Sequence, residues 1–387
     1  MKIVQLDIQG FRSLKNVSWR PGDLNVVIGP NGSGKSNLLR TLELISAGAQ
    51  GRLSRYIQDE GGIEAVIWDG SANRIMFSME TSPPSIIPPQ SNVVYEVDIP
   101  SQHFGGHYYI EREQLFGVGE GEEYIDRGEE KATLSGRHGG SEVDRESLIR
   151  DELVLSVASS PFVALRTMSF RKRLIAWAVY QDIRTDKSAA VRQAPVSRLE
   201  QRVSPDGQNL INVLHTLYTT DRDFKRDIND AMFAAFGADF DELIFPPAAD
   251  QRIQMRVRWK TLKREQSTAD LSDGTLRFLF LMTVLASPNP PPLIAIDEPE
   301  TGLHPSMLPI IAEFAVEAAT RTQVIFTTHS DQFLSAFRDT RPTVTIARWE
   351  NGETTLTTLN DSELEYWLKD YSLGKLFRSG ELENLAS

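Results

Sequence analysis

Gly29-Pro30-Asn31-Gly32-Ser33-Gly34-Lys35-Ser36 carries glycine, lysine and a hydroxyl at the fixed positions of G-x-x-x-x-G-K-[ST]. The chemistry this arrangement can do is phosphate binding. Glycine admits backbone conformations that other residues resist, so the N–H groups of Asn31, Gly32, Ser33 and Gly34 can converge on phosphate oxygens. Lys35 is then placed to reach the β- and γ-phosphates of a nucleotide, and Ser36 to hold Mg²⁺.

Three further stretches could complete a reaction at such a phosphate. Leu293-Ile294-Ala295-Ile296-Asp297-Glu298 is an apolar run ending in two acids, an expensive arrangement unless a cation or a proton engages them. Asp297 would share the Mg²⁺ with Ser36, and Glu298 would polarise the attacking water as general base. Leu271-Ser272-Asp273-Gly274-Thr275 precedes an apolar helix that Ser272 can cap, while Gly274 keeps the approach open to an anion. Thr327-Thr328-His329-Ser330 closes the next apolar run, where His329 can touch a γ-phosphate. Arg12, shortly before the loop, can reach a nucleotide phosphate or form a surface ion pair. Arg252, Arg256, Arg258 and Lys260 alternate with apolar residues, which places cations on one strand face, as a grip on phosphate backbone or as a solvated surface. His103 and His107 are four apart among strand and glycine residues, a context that gives no reason for one shared metal.

These residues need particular elements to hold them. Leu24–Ile28 reads as the buried strand that delivers the phosphate loop, with a helix opening at its end. Leu271–Ala286 reads as a helix, Leu293–Ile296 as a buried strand, 305–320 as a helix and Val324–Thr328 as a second buried strand. That alternation predicts a parallel sheet covered on both faces. Alternating runs over 63–68, 74–79, 93–99 and 107–111, with turn residues between them, predict an antiparallel sheet. The Gly-rich, acidic stretch 117–145 reads as a mobile surface insertion. Helical patterning is expected from Ser147, through 162–183 and again over 209–236, where Phe224, Ile228, Met232 and Phe236 recur every fourth residue. No stretch sustains the heptads of a long coiled coil.

Composition bounds the function. The 387 residues are 40% hydrophobic and 24% charged, ordinary globular material for one two-lobed unit or two domains. A net charge of -12 means that no global field attracts nucleic acid, so DNA contact requires a local basic patch. With no cysteine there are no disulfides, thiolate zinc sites or cysteine nucleophile. Charge interrupts the N-terminus too early for a signal peptide, and the run 278–286 is too short to span a bilayer, so a soluble cytoplasmic protein without membrane contact is expected.

Taken together, the motifs resemble the ATP-binding-cassette type ATPase heads of the SMC and RecF class, and the whole chain is similar to compact RecF-like ATPases. Gly29–Asn37 resembles their Walker A loop, Leu271–Thr275 a variant signature motif, Leu293–Glu298 Walker B, Glu300-Thr301-Gly302-Leu303-His304-Pro305 the D-loop, and His329 the switch histidine. Gly10-Phe11-Arg12-Ser13-Leu14, Asp206-Gly207-Gln208-Asn209-Leu210 and Tyr371-Ser372-Leu373-Gly374-Lys375-Leu376 belong to the same likeness. Asn37 and the Thr301–His304 variant favour this class over transporter energy subunits. The glutamine of the Q-loop has three candidates, Gln114, Gln181 and Gln193.

The resemblance implies an α/β P-loop NTPase: an ATPase head with a mixed-sheet lobe, an antiparallel β subdomain and a compact helical lobe. Residues 1–50 and 265–387 would form the nucleotide-binding core, 60–115 the β subdomain, 116–145 the insertion, and 146–260 the helical lobe ending in strands. It implies ATP and Mg²⁺ as ligands, with Glu298, His329 and Lys35 catalytic, and Asn31 to Asn37, Arg12, Ser272 and Gly274 around the nucleotide. ATP would be sandwiched between two copies, Ser272 and Gly274 of one facing the phosphate loop of the other, so binding drives homodimerisation and hydrolysis reverses it. The stretch after His329 is too short for the TOPRIM nuclease domain of some relatives, so a nuclease would be a separately encoded effector. DNA repair or anti-phage defence, with DNA as partner, is the first expectation; an ATP-dependent regulatory switch or scaffold for an effector protein is the alternative.

Overall fold

A computed structural model of the chain describes all residues except 84–90, 103–105, 120, 130, 136–140, 145–147, 159–162, 338–339, 360–371 and 385–387. His103, Ser147 and Tyr371 lie outside the described residues. The chain forms two compact units, the first built from Met1–Trp177 with Thr343–Asn360, the second from Ala178–Pro342 with Asp361–Leu385.

In the first unit, β1 (Ile3–Phe11) and β2 (Leu14–Trp19) form a hairpin, and β3 (Leu24–Ile28) leads into α1 (Lys35–Ala49). Every residue of β3 is buried, as expected of a strand covered on both faces. Two short helices follow, α2 (Leu53–Asp59) and α3 (Ile63–Val66). The 63–68 run, expected as a strand, is therefore helical over Ile63–Val66, with Ile63 and Val66 buried one turn apart, and only Ile67 is extended, bridging to Phe11. Gly61 and Gly62 turn the chain into the helix at positive φ.

A nine-stranded sheet then assembles from β1, β2, β4 (Arg74–Thr81), β5 (Val93–Gln102), β6 (His107–Tyr108), β7 (Arg112–Gly117), β8 (Glu123–Arg127), β9 (Lys131–Leu134) and β10 (Ser141–Asp144). Its pairs are antiparallel. The stretch expected as a mobile insertion thus carries three of its strands. Tyr124, Ile125, Ala132 and Leu134 are buried among the acidic and Gly residues, and these few apolar positions suffice to dock the hairpin. The sheet's inner face packs on α4 (Leu165–Ile175), with Tyr95 between Phe77 and Phe170 at ring distances of 5.9 and 5.4 Å. This unit is completed by two strands from far along the chain: β19 (Thr343–Glu350), parallel to β3, and β20 (Glu353–Thr358), antiparallel to β19.

The second unit begins with β11 (Ala178–Tyr180), where a helix through Ile183 was expected. Ala178, Val179 and Tyr180 are all buried, and an apolar run hidden on both faces does not reveal its period. Helices α5 (Leu210–Thr220) and α6 (Arg222–Phe236) follow, the latter burying Phe224, Ile228 and Met232 on one stripe. Small strands come next: β12 (Phe240–Ile244), β13 (Pro247–Ala248), β14 (Arg252–Ile253), β15 (Arg256–Trp259) and β16 (Gln266–Ser267). Then come α7 (Asp273–Leu285), β17 (Leu293–Asp297), α8 (Leu308–Ala319), β18 (Gln323–Thr328) and α9 (Asp331–Ala336). Strands β11, β17 and β18 run parallel in that order, so their C-terminal ends share one edge. The described chain closes with α10 (Leu373–Arg378), whose Gly374 fits against α9, and α11 (Glu381–Asn384). A Cβ on Gly374 would lie 2.0 Å from Asp331 O, so only glycine allows that approach.

Candidate nucleotide site

In the first unit, the loop between β3 and α1 has Gly32 and Gly34 at φ of +82° and +95°. Lys35, 5% exposed, donates from Nζ to the carbonyl oxygens of Gly29 and Pro30 at 2.8 and 3.0 Å, a position pinned inside its own loop. Ser33 Oγ is buried with no hydrogen-bond partner, so the loop holds an unsatisfied polar atom. Thr354, which sequence reasoning left without a role, holds this loop in shape together with Ser13. Thr354 Oγ1 of β20 lies 2.7 Å from Ser13 Oγ and 2.9 Å from Ser33 O, and Asn37 Nδ2 donates to Ser13 Oγ at 2.7 Å. A Cβ on Gly34 would fall 2.0 Å from Thr354 Oγ1, so this glycine serves both its positive φ and the buttress. No sequence signal could link Thr354 to a loop so far upstream.

Arg12, for which two contacts were open, is ion-paired with Glu60, and Arg40 Nη1 stands 3.8 Å from the same carboxylate. Its backbone is left-handed at φ +49° and its N–H donates to Val66 O at 2.8 Å.

In the second unit, the edge shared by β11, β17 and β18 gathers the acids and the histidine. Asp297 ends β17 opposite Thr327 of β18 and accepts from Thr327 Oγ1. Glu298 follows at φ +44°, a left-handed conformation costing a non-glycine residue about 1–3 kcal/mol. Its N–H donates to Thr327 O at 3.0 Å, which holds it there. Glu298 Oε1 then lies 2.9 Å from His329 Nδ1. Glu300 Oε1 is 4.0 Å from the same ring nitrogen and accepts from Thr328 Oγ1, while Glu300 Oε2 is buried without a partner. Burial raises the Glu300 carboxyl above its ordinary value, against the pull of the Thr328 hydroxyl and His329.

The three candidate glutamines lie in different surroundings. Tyr180 pairs with Ile296, which carries Gln181 to the position abreast of Asp297. Gln114 instead donates to Asp126 Oδ1 at 2.8 Å on the antiparallel sheet, and Gln193 to Ser188 O at 3.3 Å.

Ser272 caps α7, accepting from Thr275 N at 3.1 Å, and is itself exposed. Asp273 and Gly274 open the first turn. A Cβ on Gly274 would sit 2.8 Å from Gly302 O, so the glycine permits the turn after β17 to close on this helix.

The cation row does not survive as one face. Arg252 lies on β14 in a separate two-stranded sheet and donates to Ala194 O at 2.7 Å, whereas Arg258 on β15 pairs with Glu242 and Glu265 and Arg256 with Glu265. Among the described residues no cluster of three or more His, Asp or Glu side chains could hold a metal alone, and no helix is long and apolar enough to cross a membrane.

A Gly-rich phosphate loop on a buried strand, a parallel strand ending in two acids and a serine-capped helix before it are the elements of a P-loop ATPase fold of the RecF and SMC type. The chain belongs to the family described as "AAA domain, putative AbiEii toxin, Type IV TA system", whose model matches residues 24–335. A 64-residue stretch is 41% identical to the DNA replication and repair protein RecF of Marinomonas sp. (strain MWYL1), covering 16% of this chain and 17% of that protein. Among solved structures, an Smc head bound to the C-terminal winged-helix domain of ScpA matches with a TM-score of 0.58 at 15% identity, over 95% of this chain and all of that one. The Smc head of Pyrococcus furiosus bound to the C-terminal domain of ScpA gives 0.54 at 15%, and the Smc head with a coiled coil and joint of Pyrococcus yayanosii 0.53 at 11%, each over 95% of this chain and 99% of the other. At such identities the likeness is one of fold.

Proposed function

We propose that this chain binds ATP with Mg²⁺, hydrolyses it, and uses the cycle to close and open a homodimer. The observation that carries the reading is the Glu298–His329 contact of 2.9 Å at the end of a buried parallel strand. A carboxylate fixed by its backbone and aligned by an imidazole is positioned to act as a general base for water. The chain's own atoms fit the ligand: positive-φ glycines, the buried Lys35 ammonium and the unsatisfied Ser33 hydroxyl form a donor set for phosphate oxygens. Ser36 and Asp297 would offer a hydroxyl and a carboxylate to Mg²⁺, which would supply charge neutralisation at the phosphates. Gln181, abreast of Asp297, serves as the Q-loop glutamine. Ser272, exposed at the start of α7, faces the nucleotide of a second copy, where it and the helix N-terminus add donors that one chain lacks.

The cycle serves DNA repair or defence against foreign DNA, a reading supported by the RecF stretch and the AbiEii-type family description. A second reading, an ATP-dependent switch for a partner protein without DNA contact, is favoured by the carboxylate partners of Arg256 and Arg258 and by the net charge of -12. The Smc heads bound to ScpA domains are precedents for such a partner. ATPase activity measured with and without DNA at several salt concentrations separates the two. DNA stimulation that falls steeply with salt supports the first; none at low salt supports the second. Purified protein that neither binds nor turns over ATP would overturn both.

A further inference from the structure

We propose that Arg192 is the positioning residue of the Leu271–Thr275 segment, fixing how Ser272 is presented to the nucleotide of a second copy. The inference rests on the dimer reading above. The Arg192 side chain is 8% exposed and its donors fan out over a single target. Nη1 donates to Thr268 O at 3.1 Å and to Leu271 O at 2.7 Å, with Ala269 O at 3.3 Å, and Nη2 pairs with the Asp273 carboxylate. Thr268 Oγ1 returns a hydrogen bond to Arg192 O at 3.3 Å. One guanidinium therefore holds the three carbonyls before the cap and the first acid of α7, on both sides of Ser272. Asp273 is itself 65% exposed, so its link to a buried cation is what gives that exposed turn a fixed position.

The other end of this arm is also built. Arg192 Nε donates to Thr185 O at 2.7 Å. Gln208 Oε1 accepts from Ala190 N at 2.8 Å, while its Nε2 donates to Arg184 O at 3.1 Å. Gly207, at φ +70°, lets that turn lie against Ile183 and Phe280. The Asp206–Leu210 motif thus braces the segment that leaves β11 at Gln181, beside Asp297, and ends at Arg192. Through this segment the strand edge carrying a chain's own acids connects to the serine that the chain offers to the other copy.

Lysine cannot replace this geometry fully, because its three donors radiate from one nitrogen whereas the guanidinium reaches Thr185 and Asp273 on opposite sides. The test combines Arg192→Ala and Arg192→Lys with Glu298→Gln, reading ATP affinity with a fluorescent nucleotide and the ATP-dependent dimer by sedimentation. E298Q should dimerise with ATP. R192A/E298Q should keep its ATP affinity and lose dimer affinity by about tenfold or more, the worth of one charge-assisted hydrogen bond, with R192K between. A second readout separates positioning from folding. Mixed with Lys35→Ala chains, R192A chains should give ATPase activity above the sum of the two alone, because one site of the mixed dimer joins an intact phosphate loop to an intact signature segment. If E298Q itself does not dimerise with ATP, the dimer reading fails and the inference with it. If E298Q dimerises and R192A/E298Q matches it, or if the mixture shows no complementation, Arg192 does not position the segment.

Discussion

His329 Nδ1 stands 2.9 Å from Glu298 Oε1, and Thr327 O holds the Glu298 N–H at 3.0 Å, so the C-terminal end of β18 and the residue after it supply both the anchor and the partner of the acid that follows β17. Glu298→Gln keeps the size of the side chain and removes its basicity. Turnover should fall by about 10²–10⁴-fold with ATP affinity retained. His329→Ala should lower kcat by about 10²-fold through loss of alignment and one polar donor, with KM little changed. Steady-state ATPase kinetics check both, and an E298Q protein with wild-type kcat would remove Glu298 from the role of base.

Ser272 is exposed at the start of α7, and in the proposed dimer it meets the nucleotide of the second copy. Ser272→Arg should leave ATP binding to the single chain intact and block the ATP-dependent dimer, measured by sedimentation with and without nucleotide. Dimers formed at the wild-type ATP concentration would end the sandwich model.

Glu300 makes stability depend on pH. Burial raises its carboxyl, so the folded chain holds that proton more tightly than the unfolded chain. The stability gained is complete below the unfolded carboxylate range and is lost as pH rises through the raised value. Glu300→Gln has no charge to desolvate, so its melting temperature relative to the parent should climb with pH across that window. Parallel curves for the two proteins would contradict the assignment.

A buried ion pair holds the antiparallel sheet to the chain behind it. Glu113, fully buried, accepts from Tyr95 Oη and Leu155 N, each at 2.8 Å, and from Val154 N; Arg127 donates to Glu152 O at 2.6 Å and Ile149 O at 3.0 Å. The two side chains are 3.9 Å apart. Glu113→Ala would leave Arg127 buried without its counter-charge and should cost about 3–5 kcal/mol in denaturant unfolding. ATP affinity of the folded fraction should be unchanged, since the pair lies away from the phosphate loop in sequence and contacts none of its residues.

The sequence by itself determined where the candidate residues fall on their elements. Lys35 and Ser36 were expected at a helix start, Ser272 at a helix cap, and Asp297, Glu298 and His329 at strand ends, and they lie there because apolar runs mark where buried elements begin and end. The strands β3, β17 and β18 and the helix α7 followed from the same runs. What the tertiary structure decided was everything that depends on pairing between distant segments. The β11 register set Gln181 beside Asp297, a placement hidden because 178–180 is apolar on both faces and shows no period. Glu60 took Arg12, carboxylates divided the cation row, and a few apolar residues in an acidic stretch docked three strands. Thr354 and Arg192 hold the loop after β3 and the turn before α7 through contacts 321 and 79 residues away, for which no local pattern exists. Hydrogen-bond donors and acceptors of this kind are interchangeable along a chain, and only the fold brings a particular pair within reach.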